Sequence, residues 1–362
     1  MMDVERNRSH IRHNHPIGPS SNNSSPYKCL CQFIRLARYL PFALIFTLYL
    51  WGLYVYMYFV IYKYYEQNLA RALLVIFFIP FYLLSLISYV KCVFSNHRPI
   101  APEFTIPDVM RLNQMTEDER NQSFESLIQA RNLPIFTRAY NGHVRFCPKC
   151  LVLKPDRAHH CSTCGKCICK MDHHCHWVSN CVAFDNYKYF ILFLFYTSIL
   201  CLYVVLSSVK LFLKFWRDES YPGKFQVFFL VLFCFIFSLS ILILLSYHIY
   251  LVCKNVTTLE SYQTPRFRQY EYDYYRFNLG CKRNLISVFG DNKLYWFLPI
   301  YNSLGDGHYY QLPLIPGIFD KSTSMTVCDV TSSSYPQALL QQQQPPPPQL
   351  FQHPQSSSFN NI

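Results

Sequence analysis

Several signatures that would assign a chain rich in cysteine and histidine to familiar soluble classes are missing from these 362 residues. There is no HExxH, and no HxE followed by PCxxC, so neither a zinc hydrolase nor a zinc deaminase finds the glutamate it needs beside an open metal position. No Cys-x-x-Cys follows Cys181, which leaves a RING-like ubiquitin ligase without the last pair of its cross-brace. No internal repeat of the solenoid kind occurs. No small-residue cleavage site accompanies any apolar run, and the first such run lies behind about forty polar residues, so it is expected to be an uncleaved anchor. Charge is sparse, at 15% of residues, and is weighted to one sign: 21 Asp and Glu against 33 Lys and Arg, a formal +12.

What is abundant is apolar and aromatic, 51% and 18% of the residues, which is too much for an ordinary soluble protein. Four stretches, at about Leu40–Tyr62, Ala72–Val93, Tyr189–Leu213 and Phe225–Cys253, reach the roughly 20 residues that a bilayer span requires. Their flanks set the topology. The segment up to Arg38, the loop Lys91–Lys188 and the tail after Cys253 together hold 27 Lys and Arg, and the two short loops hold 6. By the positive-inside rule both termini and the long loop face the cytosol. The positive charge is therefore mainly a topology signal, with a surface for anionic lipid heads or an anionic substrate as its further use. Nucleic acid is not an expected partner.

Residues 1–37 read as a disordered cytosolic N-terminus, apart from Cys29 and Cys31, which are candidates for lipid attachment close to the membrane. Residues 38–93 carry spans one and two. The cytosolic linker 94–142 contains Thr116 and Glu119, a capping box that starts a helix running to about Asn132. A compact cysteine-rich domain covers 143–188, spans three and four cover 189–253, and an aromatic and basic cytosolic segment covers 254–310. From 320 to 362 the composition turns to Ser, Gln and Pro, a disordered tail and a possible polyproline II ligand for adaptor domains. Glycosylation sequons at Asn22, Asn121 and Asn255 all fall on the expected cytosolic side and are discounted.

Half of the 16 cysteines lie between Cys147 and Cys181, mixed with histidines, which points to metal in a reducing compartment and away from disulfides. The candidate ligands are Cys147, Cys150, Cys161, Cys164, Cys167, Cys169, Cys175 and Cys181, with His159, His160, His173, His174 and His176. Two Cys-x-x-Cys pairs imply two tetrahedral zinc sites and eight ligands. Five groups are left over, and spacing alone does not say which. One stretch among them has the residues of a nucleophilic site. A thiol reacts as thiolate, activated by a histidine that a carboxylate orients, and Asp172, His173 and Cys175 offer all three within four residues. A zinc-bound thiolate is a poorer nucleophile, so one cysteine should not do both. The stretch ends about fourteen residues before span three, at a boundary between water and hydrocarbon that suits a substrate with one polar and one greasy end.

The run Cys147-x2-Cys150, Lys154-Pro155-x-Arg157, His160-Cys161-x2-Cys164-x2-Cys167, Asp172-His173-His174-Cys175-x-Trp177, Asn180-Cys181 and Asn186 closely resembles the cysteine-rich domain of the DHHC protein S-acyltransferases. These are membrane enzymes that move a fatty acyl group from acyl-CoA to cysteines of other proteins. Thr257-Thr258-Leu259-Glu260 resembles the family's TTxE motif, and Asn284 matches the asparagine of its C-terminal aromatic motif. The resemblance implies an all-α membrane protein of four transmembrane helices, with a cytosolic zinc-binding domain between helices two and three. It implies one zinc on Cys147, Cys150, His160 and Cys167, and a second on Cys161, Cys164, His174 and Cys181. Cys175 is then the nucleophile, His173 its base and Asp172 the group that fixes the base, with Thr258 supporting Asp172. Trp177 is expected near the reacting carbon, and Lys154, Arg157 and His159 at the CoA phosphates. Two departures from the family pattern are His176, where proline is usual, and Ala183, where glycine is usual.

The expected reaction is a ping-pong transfer from palmitoyl-CoA through a Cys175 acyl-enzyme to membrane-proximal cysteines of substrate proteins, with both zincs structural. Golgi, endoplasmic reticulum and plasma membrane are all compatible locations.

Overall fold

The computed structural model describes residues 39–106, 114–217, 220–268 and 277–311. Cys29, Cys31, the Asn22 sequon and the Ser/Gln/Pro tail at 320–362 lie outside the described residues.

Among the described residues, four helices are long and apolar enough to cross a membrane: α1 Leu40–Tyr64, α2 Asn68–Phe94, α4 Tyr187–Trp216 and α5 Lys224–Lys254. Each begins or ends within a few residues of its apolar run. The last ten residues of α1, Val55–Tyr64, wind more widely than an α-helix and bury Val55, Tyr56, Val60 and Ile61. Pro80 sits inside α2, a position that membrane helices tolerate when neighbouring helices compensate the lost backbone bond. Helix α4 is the centre of the bundle: 56% of its most apolar stretch is buried, against 22–28% for the other three, and it packs on both α2 and α5. Polar side chains between the helices find one another. Ser85 Oγ lies 2.5 Å from Tyr49 Oη and 2.6 Å from Thr197 Oγ1, tying α1, α2 and α4 together. Gly223 starts α5 at φ +72 with its Cα against the Phe59 ring, where any side chain would collide.

The segment between α2 and α4 holds helix α3, Glu117–Ala130, and a set of short hairpins. Thr116 and Glu119 form the reciprocal capping box, with the Glu119 carboxylate 2.8 Å from the Thr116 N–H. The chain turns out of α3 through a left-handed Asn132. Strands β2 Phe146–Cys147 and β3 Val152–Leu153 pair, as do β4 His159–Cys161 with β5 Lys166–Ile168 and β6 His173–Cys175 with β7 Asn180–Val182. Strand β1, Thr137–Arg138, pairs instead with β8, Arg266–Phe267, which follows α5. The fold is thus mostly helical, with β-structure confined to two-stranded pieces of two or three residues. Helix α6 Thr258–Tyr262 and helix α7 Cys281–Phe289 follow α5.

Two asparagines fasten the β6–β7 hairpin to the end of α2. Asn180 donates to the carbonyls of Val93 (3.1 Å) and Ser95 (2.9 Å), and Asn186 donates to that of Cys92 (3.2 Å). These are C-terminal carbonyls that a helix leaves without internal partners. The segment after α7 returns over α4: Lys188 Nζ donates to the carbonyls of Tyr295 and Ile300 and to the Asn302 side chain. The hairpin that carries Cys175 is therefore fastened to the end of α2, and the segment after α7 to the start of α4.

Candidate active site

Two groups of four ligand atoms converge in the cysteine-rich domain, Cys147, Cys150, His160 and Cys167 in one and Cys161, Cys164, His174 and Cys181 in the other. Hairpin geometry explains the sorting. In an antiparallel pair, residues directly opposite share a face, and successive residues along a strand alternate faces. His160 stands opposite Cys167, and both enter the first group; His174 stands opposite Cys181, and both enter the second. His160 and Cys161 are neighbours in one strand and so serve different groups, which interleaves the two sites. Each Cys-x-x-Cys sits on a tight turn, closed by Leu151 N–H to Cys147 O (2.8 Å) and Gly165 N–H to Cys161 O (2.9 Å).

The donor sets fit zinc. Tetrahedral bonds of about 2.3 Å to sulfur and about 2.0–2.1 Å to nitrogen imply N–S edges of roughly 3.5–3.6 Å. His160 Nδ1 lies 3.5, 3.3 and 3.9 Å from the sulfurs of Cys147, Cys150 and Cys167. His174 Nδ1 lies 3.5, 3.6 and 3.5 Å from those of Cys161, Cys164 and Cys181. Cys169 belongs to neither group; it is buried with its sulfur 3.4 Å from His308 Nε2.

The same alternation turns His173 and Cys175 away from His174. His173 Nδ1 lies 2.6 Å from the Asp172 carboxylate, which leaves its other ring nitrogen for the hydrogen bond to Cys175. Asp172 is buried and receives two further bonds from α6, the Thr258 N–H at 2.9 Å and the Thr258 hydroxyl at 2.7 Å. Thr257 and Glu260 form the capping box that presents Thr258 in this position. Burial pushes the Cys175 thiol up, but the His173 hydrogen bond and the backbone N–H groups of Val178 and Trp177 outweigh it, and the thiol ends below its ordinary value. Burial pulls His173 down, but Asp172 and Cys175 raise it to about 9. Burial raises Asp172 and hydrogen bonding to His173 and Thr258 lowers it, with a net shift below the usual carboxylate range. All three directions favour a thiolate beside an imidazolium.

Cys175 packs against the apolar cluster formed by Tyr89, Val178 and Phe190 among others. Tyr89 donates to the Trp177 carbonyl at 2.9 Å and fixes the turn after Cys175. The Trp177 side chain itself is 59% exposed. His176 is also exposed, its ring against His174 rather than against Cys175. Ala183 is buried and does not take a positive φ, so alanine fits where glycine is usual.

One expected role does not survive the geometry. Arg157 is not placed to meet a CoA phosphate: its side chain is wholly buried, with Nε 2.8 Å and an Nη 2.7 Å from the two Glu260 oxygens. Its remaining donors reach the Asn255 carbonyl and side chain, and its plane stacks on Phe277 at 4.6 Å. It is the bolt between the cysteine-rich domain and the TTxE helix, held at φ +64. His159 is half-buried, and burial together with Arg145 lowers it to about 4, so it carries no charge to offer an anion near neutrality. Lys154 is half-buried at the domain surface. Asn284 is buried at the start of α7 and donates to the Cys253 carbonyl at 2.8 Å, closing the end of α5.

Two residues at the site were not anticipated. His248 of α5 is buried with its ring centroid 5.9 Å from that of His173, and its Nδ1 lies 3.1 Å from Tyr187 Oη. Phe190 closes the same wall, 5.5 Å from His173. A histidine inside an apolar span is itself a flag for a functional position, and that signal was present in the sequence.

Residues 140–265 match the family model described as DHHC palmitoyltransferase. The chain is 40% identical over 276 residues to "Palmitoyltransferase ZDHHC2" of Danio rerio, covering 75% of this chain and 76% of that protein. It is 37% identical over 286 residues to "Palmitoyltransferase ZDHHC15" of Xenopus laevis, covering 78% and 83%. It is 40% identical over 264 residues to "Palmitoyltransferase ZDHHC20" of Homo sapiens, covering 72% of each.

Proposed function

The chain belongs to the DHHC palmitoyltransferase family and is a protein S-acyltransferase, and on that premise we propose how its own residues carry the transfer. Cys175 is the nucleophile. Its thiolate attacks the thioester carbon of a long-chain acyl-CoA, the tetrahedral intermediate collapses, and CoA leaves as thiol with a proton from His173. A substrate cysteine then gives its proton to His173 and attacks the acyl-enzyme, which restores the Cys175 thiolate. The observation that carries this reading is the chain of contacts from Thr258 through Asp172 to His173 and Cys175, outside both groups of metal ligands.

Exchange of one thioester for another is nearly isoenergetic, so the site needs position and a poised thiol rather than a driving force. Asp172 holds the His173 ring with Nδ1 toward the carboxylate, and Thr258 holds Asp172. The apolar wall against Cys175 is where the acyl chain enters the bundle, and Trp177 covers the reacting carbon. Of the three expected CoA contacts, Lys154 is the one that remains a candidate for a CoA phosphate. Zinc in the two four-ligand sets would have no open position and would supply only rigidity to the hairpins.

The long loop, and with it the site, faces the cytosol by the distribution of Lys and Arg, so the acceptors are cytosolic cysteines close to a membrane surface. The reading is tested by loading purified enzyme with an alkynyl palmitoyl-CoA, removing the donor, and adding a membrane-anchored peptide with one cysteine. One equivalent of CoA released before the peptide is added, and passage of the label to the peptide afterwards, is the expected result. CoA release only when both substrates are present would contradict the two-step order.

A further inference from the structure

We propose that Cys253 and Cys281 form a redox-active dithiol that closes into a disulfide and staples helix α7 to the end of α5. Their sulfurs are 2.8 Å apart, against about 2.05 Å in a disulfide, so the two side chains already converge. Neither thiol belongs to the metal groups or to the Cys175 contacts. The backbone around them is already joined, since Asn284, one turn into α7, donates to the Cys253 carbonyl at 2.8 Å and accepts from the Leu279 N–H at 3.1 Å. The bond would therefore join two elements that already touch.

Exposure divides the two roles. Cys281 is exposed and Cys253 is half-buried in the last turn of α5. With glutathione disulfide as the oxidant class, the Cys281 thiolate attacks one sulfur of the oxidant and expels one glutathione thiolate, leaving a mixed disulfide on Cys281. Cys253, as thiolate, then attacks the Cys281 sulfur and expels the second glutathione. Two protons and two electrons pass from the protein pair to the oxidant, which leaves as two glutathione molecules. The partner sulfur at contact distance makes the second step intramolecular and fast.

The placement gives the bond a consequence. The stretch between the two cysteines contains Asn255 and Glu260, which hold Arg157, Thr257, which caps onto Glu260, and Thr258, which holds Asp172. Closing it covalently restricts the unfolded and locally opened states of the segment that orients the catalytic pair. The oxidised enzyme is expected to keep its turnover and to resist thermal loss of activity.

The test uses the full chain in detergent, treated with glutathione disulfide, alkylated, and digested without reductant. A Cys253–Cys281 cross-linked peptide in most molecules, two zincs retained per chain, and a melting temperature raised by about 5 °C over the reduced enzyme are expected. In Cys253→Ala the shift should vanish and Cys281 should carry glutathione. Cys281→Ser should carry none at either position. The proposal is overturned if wild type stops at glutathionylated Cys281, if Cys281 is found blocked by a hydroxylamine-labile acyl group, or if the melting shift persists in Cys253→Ala.

Discussion

His173 and His174 are consecutive in the chain and face opposite ways. The Nδ1 of His174 lies 3.5 Å from the sulfurs of Cys161 and Cys181, whereas that of His173 lies 2.6 Å from the Asp172 carboxylate. Strand alternation alone separates a residue of the metal-ligand group from the proposed base at neighbouring positions. It does the same for Cys175, which stands on the His173 side of the strand and outside both ligand groups, as the proposed nucleophile must.

Replacing the two histidines should therefore give different failures. His173→Ala is expected to lower autoacylation by about 100-fold or more, within the range for a general base, and to retain two zincs per chain. His174→Ala should lose one zinc and unfold the β6–β7 hairpin. Zinc content by elemental analysis beside acyl loading separates the two; zinc loss in His173→Ala would reverse the assignment.

Thr258→Val removes the hydroxyl bond to Asp172 and preserves shape and the backbone bond. Groups that orient a reacting group through an intermediary commonly matter by about 10–100-fold, and a drop of that size in the loading rate is expected. The apparent affinity for acyl-CoA should not change, because Thr258 touches Asp172 and not the substrate. A change confined to KM would contradict the positioning role.

Arg157→Lys should destabilise the protein rather than weaken donor binding. Lysine cannot reproduce the two-pronged contact with Glu260, and breaking a buried pair costs about 3–5 kcal/mol. The melting temperature should fall sharply, and the molecules that stay folded should keep the wild-type KM for acyl-CoA. A raised KM with unchanged melting temperature would restore the CoA-binding role.

His248→Phe keeps the bulk against His173 and removes the hydrogen bond from Tyr187. A loss of loading rate, with zinc content unchanged, is expected if Tyr187 and His248 set the plane of the His173 ring. Full activity in the phenylalanine variant would reduce His248 to packing.

Much of the fold is legible in the sequence. Apolar run length marks the four helices to within a few residues, because in a membrane length and hydrophobicity are nearly the whole constraint. The Thr116 and Glu119 capping box, a local signal, announces α3 at its starting residue. The ligand sorting was not legible from spacing, since thirteen donors crowd one segment and only the hairpin registers decide which share a face. Arg157 was misread because a cation beside a site looks like an anion contact until Glu260, far along the chain, is seen against it. His248 was passed over for a related reason: its partners, His173 and Tyr187, come from two other elements.

The most direct test of the account is Cys175→Ser, measured for acyl loading and zinc together. Wild type incubated with an alkynyl palmitoyl-CoA should take one hydroxylamine-labile acyl group, located on Cys175 by mass spectrometry, with two zincs per chain. The serine variant should take no hydroxylamine-labile group and keep both zincs. A label that survives in Cys175→Ser, or the loss of a zinc with it, would contradict the claim that Cys175 is the nucleophile held outside the metal sites.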